Sequence, residues 1–236
     1  MHGVDWMMDE LEQRQQFFDQ FCAAWGTEYR FKGGQVHCAN GCSGCCSLVV
    51  NCSLPEALRI IGALDTQHHA RLADWAATVL PLAEQASSLK SWLSGYRQAG
   101  MRCPFLDEGG SCSVYRVRPL SCRSLLATRE PVWCTTDFSV LSTDQKQTFM
   151  DALDRSAVAF PTHYAATPQE LGQELEEATL RQMEAIYGFS LVGCLPWLVW
   201  AEVQYGISGW LKEGRESVAA RLQEQGLSQQ FLAVLI

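Results

Sequence analysis

The sequence has little that would mark a nucleotide-binding or nucleic-acid-binding protein. It contains no P-loop, no Gly-x-Gly-x-x-Gly fingerprint and no Gly-x-Ser-x-Gly elbow. Basic residues are scarce: 18 Lys and Arg stand against 26 Asp and Glu, a formal charge of −8 over 236 residues. A surface built to grip phosphate backbones needs the opposite sign, so no nucleic-acid partner is expected. Long apolar runs are also lacking. One apolar stretch without a charge, AIYGFSLVGCLPWLVWA at 185–201, contains Gly188, Gly193 and Pro196 and is short for a membrane span. It reads as a buried helix or helix pair, and no membrane partner is expected. The opening MHGVDWMMDELEQRQQ lacks a basic patch followed by an apolar core, which points to a cytoplasmic location where structural disulfides are rare. No internal repeat or low-complexity tract interrupts the chain.

What is present suits a folded domain. Apolar residues make up 47% and charged residues 19%, enough to bury a core. The periodicity is mostly helical. Residues 8–25 place Leu11, Phe17, Phe18, Phe21, Cys22 and Trp25 on one face. Ser53-Leu-Pro-Glu56 is a capping box that opens a helix to about Leu64. Helical pattern over 66–100 is expected to break or kink at Pro81. Asp107-Glu108-Gly109-Gly110 between two short apolar runs signals a hairpin. Pro119 opens a short helix carrying Cys122 and Arg123. Ser142-x-x-Gln145 and the capping box Thr167-Pro-Gln-Glu170 start two more helices, the second running to about Tyr187. Further helices are expected near 208–225 and from Ser228 to the C-terminus. The predicted fold is mainly α: a helical bundle-like domain with a cysteine-rich loop and one small β-hairpin around a metal centre. It divides into an N-terminal helix and lead-in (1–37), a cysteine-cluster core (38–134) and a helical region packed on it (135–236), together one compact unit.

The eleven cysteines are the abnormal feature. Cys38-x3-Cys42-x2-Cys45-Cys46 forms one set. Cys103, Cys112, Cys122 and Cys134 form the other. Many thiols in a reducing compartment suggest a metal or redox site, and soft thiolates select zinc or iron–sulfur centres over magnesium, calcium or manganese. Glycines 41 and 44 let the loop curl several sulfurs around a centre. The vicinal pair Cys45-Cys46 serves two neighbouring metals, or two irons of a cluster, more readily than one tetrahedral ion. Cys22 and Cys194 read as core thiols, and Cys52 as a buried structural thiol. His37 reads as a surface or supporting residue, His68-His69 as solvated, and His163 has no visible partner.

Charge is distributed to match. Between Arg97 and Arg129 lie six arginines (97, 102, 116, 118, 123, 129) and only two acids, Asp107 and Glu108. A metal held by four thiolates is anionic, and guanidiniums beside it offset that charge. Arg116, Arg118, Arg123 and Tyr115 are therefore expected to brace and neutralise the centre. Cys122, in the first turn of its helix, is expected to be held as thiolate by the helix amides.

CANGCSGCC at 38–46 followed by CPFLDEGGSCSVYRVRPLSCR at 103–123 resembles the YkgJ-type cysteine-cluster family, the CxxCxxCC proteins described as zinc- or iron-chelating. The matching positions are Cys38, Cys42, Cys45, Cys46, Cys103, Cys112, Tyr115, Arg118, Pro119, Cys122 and Arg123, and Cys134 fills a further cysteine position found in some members. The resemblance implies metal chelation by these cysteines more than it implies any reaction. A flagellin lysine methylase family, which uses S-adenosylmethionine, has a similar cysteine cluster. The first reading is an iron–sulfur protein, of the 4Fe-4S type, in redox or electron-transfer work with an unknown redox or protein partner. The alternatives are a zinc-binding structural or interaction module and a metal-dependent, methyltransferase-like protein-modifying enzyme. The radical S-adenosylmethionine spacing Cys38-x3-Cys42-x2-Cys45 is also present, but the strand–helix repeats of its barrel are not.

Overall fold

A computed structural model of the protein describes the backbone of residues 2–236 and the side chains from Trp6 onward. The fold is mainly helical with one small sheet. Helix α1 spans His2–Phe31 and buries a stripe of Met7, Leu11, Gln15 and Phe18, spaced at three to four residues as an amphipathic helix requires. Phe17 lies off that stripe and is half exposed, unlike the other residues expected on the buried face.

Helix α2 (Leu54–Ile61) begins at the expected capping box, with Pro55 in its first turn. Glu56 does more than cap. It is fully buried at 0% exposure. Its Oε2 accepts the Ser53 N–H at 2.9 Å and the Ser53 hydroxyl at 2.8 Å, while Oε1 accepts the distant Leu120 N–H at 2.8 Å. One carboxylate thus joins the start of α2 to the start of α5 (Leu120–Ser124).

Helix α3 (Thr66–Gln85) runs through Pro81 without ending there. The break falls at 86–88, where Ser88 caps α4 (Leu89–Gln98). His68, expected to be solvated, is buried: it completes the α3 capping box with Asp65, and its Nε2 lies 2.8 Å from Ser113 Oγ. Downstream come α6 (Val132–Thr135), α7 (Thr143–Asp151) with the expected Ser142–Gln145 box, and α8 (Ala166–Tyr187). Helix α8 starts two residues earlier than a Thr167 cap predicts, with Ala165 at the cap position. Its entry is set by tertiary pairing, because Ala165 N–H donates to Leu126 O and Ala166 N–H to Ala157 O, both at 2.9 Å.

The apolar run 185–201 is neither one helix nor a helix pair. It leaves α8 at left-handed Gly188, forms strand β2 (Leu191–Cys194) and continues as α9 (Leu195–Tyr205). Among the described residues no helix is long and apolar enough to cross a membrane. β2 is the centre of an antiparallel sheet between β1 (Asn51–Ser53) and β3 (Ala233–Leu235), with Asn51 opposite Cys194 and Gly193 opposite both Cys52 and Ala233. A Cβ on Gly193 would stand 2.2 Å from Leu232 O, so only glycine fits at this crossing. The C-terminus is therefore a strand, not the expected helix. A 3-10 helix (Ile207–Glu213) and α10 (Arg215–Glu224) precede it. The hairpin segment closes on a single bridge, Leu106 opposite Cys112.

The main core gathers Trp75, Trp92, Trp197, Phe105 and Phe189 with aliphatic residues of α2, α3, α9 and α10. A second cluster of Leu11, Phe18 and Leu120 lies where α1, α5 and α8 meet. At that junction a Cβ on Gly172 would stand 2.8 Å from Ser124 Cβ.

Replacing Glu56 by Ala strands two buried amide donors, Ser53 N–H and Leu120 N–H. The expected loss is about 3 kcal/mol of folding stability, read as a lower urea midpoint. A midpoint unchanged from wild type would show that Glu56 is not the joint described.

Candidate metal centre

The loop 38–47 is held at its ends and free of side-chain bulk in its middle. His37 N–H donates to Ala127 O at 2.9 Å, Cys42 N–H to Ala39 O at 3.0 Å, and Gly41 takes φ +90°. A single 3-10 turn, Gly44–Ser47, carries Cys45 and Cys46. A Cβ at Gly44 would lie 3.0 Å from Pro131 O and 3.1 Å from Cys134 Cβ, so a glycine here lets the loop press against α6. Cys103 N–H donates to Cys46 O at 2.8 Å and joins the two cysteine sets directly. Helix α3 braces the second set: Arg71 Nη1 donates to Leu106 O at 2.8 Å, beside the His68–Ser113 contact.

The result is one partly open cavity of about 100 Å³. Seven of the eight expected cysteines line it: Cys38, Cys42, Cys45, Cys46, Cys103, Cys112 and Cys122. Cys194, expected only as a core thiol, lines it too. No motif spacing points to Cys194; the pairing of β2 with β1 carries it there. Cys134 does not line the cavity. It sits against Gly44 in α6, with its Sγ 3.3 Å from His163 Nε2. Cys22 on α1 is partly buried against the Leu11, Phe18 and Leu120 cluster, and Cys52 is buried in β1.

Tyr115, Arg118 and Arg123 also reach the cavity, and Arg116 does not. The Arg118 guanidinium lies 3.7 Å from the centre of the Tyr115 ring and donates to Tyr115 O at 2.9 Å. Arg123 is buried and turned to structural partners. It donates to Arg118 O at 2.7 Å, to Arg116 O at 2.6 Å and to the Asp19 carboxylate. Arg116 is exposed and borders a separate surface pocket with Asn40 and Ser111. The remaining arginines of the cluster are spent elsewhere: Arg97 on Asp137, Arg102 on Ser43 and Arg129 on Glu130. Arg118, whose Nη2 also lies 4.0 Å from the Asp19 carboxylate, lowers the thiol pKa of Cys45, Cys112 and Cys122 against larger opposing effects.

Burial is the largest of those effects at most of the sulfurs. It pushes Cys38 up to about 11, Cys103 to about 12 and Cys194 to about 12, and raises Cys112, Cys122 and Cys134 as well. Cys45 rises first through its hydrogen bond with the Cys46 side chain and then through burial. The expectation that Cys122 is a helix-stabilised thiolate is therefore corrected. Its helix has five residues, and burial outweighs the small dipole. Several sulfurs also receive amides that favour the ionised form: Ala127 N–H reaches Cys38 Sγ at 3.1 Å, and the backbones of Phe105, Val114 and Trp197 serve Cys103, Cys112 and Cys194.

The donor set is all soft sulfur, walled by Leu48, Phe105, Val114, Leu125 and Leu195. That chemistry fits zinc or iron. Among the described residues no three His, Cys, Asp or Glu side chains converge on a single point closely enough to hold a bare ion. The sulfurs surround a volume instead, with Cys45 within electrostatic reach of Cys38, Cys103, Cys112, Cys122 and Cys134.

Two pH dependences follow. Without metal, folded and unfolded chains both keep these thiols protonated below about pH 9. Between the ordinary thiol value of 9.0 and the raised values of about 11 and about 12, the unfolded chain releases protons that the folded chain retains. Stability is thus present below pH 9 and lost as pH rises through that window. The urea midpoint of the metal-free protein should fall from about pH 8 to about pH 11; a flat or rising midpoint would contradict the burial of these thiols. Metal ligation must expel the same protons, so apparent metal affinity should rise about tenfold per pH unit for each proton released near neutral pH, measurable by competition with a chelator of known proton linkage.

Neither the curated proteins nor the solved structures give a match to this chain. One protein family does. Residues 37–151 match the CxxCxxCC family, whose description reads "Putative zinc- or iron-chelating domain". The matched span contains Cys38 through Cys134 and stops before Cys194 and His163. With its cysteine sets folded around one cavity, the chain is similar, over residues 37–151, to the CxxCxxCC zinc- or iron-chelating family.

Proposed function

We propose that the cavity holds an iron–sulfur cluster and that the protein works in electron transfer. The ligands come from Cys38, Cys42, Cys45, Cys46, Cys103, Cys112 and Cys122, with Cys134 at the edge of the set. The observation that carries this reading is the shape of the donor set: eight sulfurs line a single space of about 100 Å³, and no three of them close on one point. A lone tetrahedral zinc uses four ligands with metal–sulfur bonds of about 2.3 Å and leaves no space between them. Sulfurs arrayed around a volume suit a group of several atoms, and the vicinal pair Cys45-Cys46 offers two sulfurs to adjacent metals.

Bound there, an iron–sulfur cluster supplies one-electron transfer. The chain's own residues set the terms. Amides of Ala127, Phe105, Val114 and Trp197 donate to sulfurs and stabilise their negative charge. Arg118, fixed on Tyr115, places a cation at the cavity wall. Leu48, Phe105, Leu125 and Leu195 line it with apolar surface. Amides and the cation favour the reduced, more negative state; the apolar wall opposes it.

Protein purified without oxygen should be brown, contain iron and acid-labile sulfide, and give an electron paramagnetic resonance signal in one redox state. Colourless protein with only stoichiometric zinc and no sulfide would replace this reading with a zinc module. In the loaded protein Arg118→Gln should lower the reduction potential by about 60 mV, the tenfold step of a one-electron couple, while Arg118→Lys should largely retain it. Equal potentials in wild type and Arg118→Gln would remove Arg118 from this role.

A further inference from the structure

Arg116 is a guanidinium that the metal centre does not use. It is exposed and, among the described residues, pairs with no carboxylate, unlike Arg118 and Arg123 beside it. It lines an open surface pocket of about 470 Å³ together with Asn40 and Ser111. Cys112 lines that pocket as well as the main cavity, the one cysteine common to both. We propose that this pocket docks a small anionic redox partner, bearing a carboxylate or phosphate, and that electrons pass between it and the centre through the Cys112 sulfur. The inference rests on the reading of the main cavity as an iron–sulfur centre and names the class of its redox partner.

The charge of the pocket is opposite to that of the chain. The protein carries −8, yet Arg116 is the only charged residue in the pocket lining. A second exposed guanidinium, Arg102, stands where the cysteine loop meets the hairpin: its Nη2 donates to Ser43 Oγ at 2.8 Å, a hydroxyl 3.8 Å from where a Gly110 Cβ would lie. Asp107 turns its Oδ1 to the Ser111 N–H at 2.8 Å, and neither it nor Glu108 lines the pocket. A guanidinium holds a carboxylate or phosphate through two parallel N–H bonds, and the Asn40 amide and Ser111 hydroxyl are further donors. Ala63, Val114 and Val117 line the rest with apolar surface, which suits an organic body rather than a bare inorganic ion.

One short segment sets both the cation and the sulfur. Arg116 lies in the 3-10 turn Tyr115–Val117, where Val117 N–H donates to Val114 O at 3.0 Å. The Arg116 carbonyl accepts Arg123 Nη2 at 2.6 Å, and Tyr115 N–H donates to Cys112 O at 3.2 Å. Electron exchange weakens steeply with distance, so a cluster ligand in the pocket wall gives a bound molecule a direct path to the centre. The step moves a single electron. The cluster loses it and the partner gains it, or the reverse, and no bond forms or breaks.

The test uses the iron-loaded full chain without oxygen, with flavin mononucleotide and riboflavin as probes. The two share one redox ring and differ by a phosphate. Electron exchange, followed by flavin absorbance in the downhill direction, should be about tenfold faster with the phosphate than without it, the scale of electrostatic steering. Arg116→Ala should remove most of that preference, and Arg116→Lys, which keeps the charge, should retain most of it. Arg181→Ala, which deletes an equal charge outside the pocket lining, should leave the preference intact. Iron and sulfide content should be equal in all four proteins. Brown wild type with equal rates for the two flavins, the same preference in wild type and Arg116→Ala, or an equal loss in Arg181→Ala overturns the docking site and leaves the cluster standing. Colourless wild type without iron overturns the cluster, and the docking site with it.

Discussion

The structure depends on burying many cysteine sulfurs around one small space. Taken out of water, these thiols resist ionisation, and ionising them together in a low dielectric would add mutual repulsion. Cys38, Cys45, Cys103, Cys112 and Cys122 each raise or are raised by a neighbouring sulfur in the set. A cationic group at their centre relieves both costs at once. Most of the surrounding architecture can be understood as the means of bringing sulfurs from residues 38 to 194 to a common wall and keeping water from them.

The polar residues near the centre divide by task. Arg118 presents its charge to the sulfurs while stacked on Tyr115. Arg123, five residues on, turns away: its guanidinium holds the carbonyls of Arg116 and Arg118 and the Asp19 carboxylate of α1. It shapes the loop that carries Tyr115 and Arg118. Glu56 acts in the same way from the other side, with one carboxylate shared between the α2 cap and the amide that opens α5. Adjacent arginines of one motif thus serve different ends, and only their hydrogen bonds distinguish them.

Local signals were read well where the determinant was local. The boxes Ser53–Glu56 and Ser142–Gln145 lie where their side chains predict, because capping is satisfied within one turn. The mainly helical class and a turn at 107–110 were likewise legible. Failures came where distant partners intervened. Thr167 lost its cap role because the backbone of 165–166 pairs with Leu126 and Ala157. The 185–201 run became strand and helix because Gly193 fits between β1 and β3. His68 was drawn inward by Ser113, forty-five residues away.

The sequence by itself determined the chemistry: which sulfurs are clustered, that they are soft ligands for zinc or iron, and that glycines leave them room. Cysteine spacing carries that information because neighbouring thiols share one loop whatever the rest of the chain does. Only the tertiary structure decided that the two sets face a common cavity, that Cys194 joins them through the register of β2, and that Cys134 turns toward His163. Those outcomes follow from strand pairing and helix packing between segments far apart in the chain, and no local pattern records which side chains such contacts bring together.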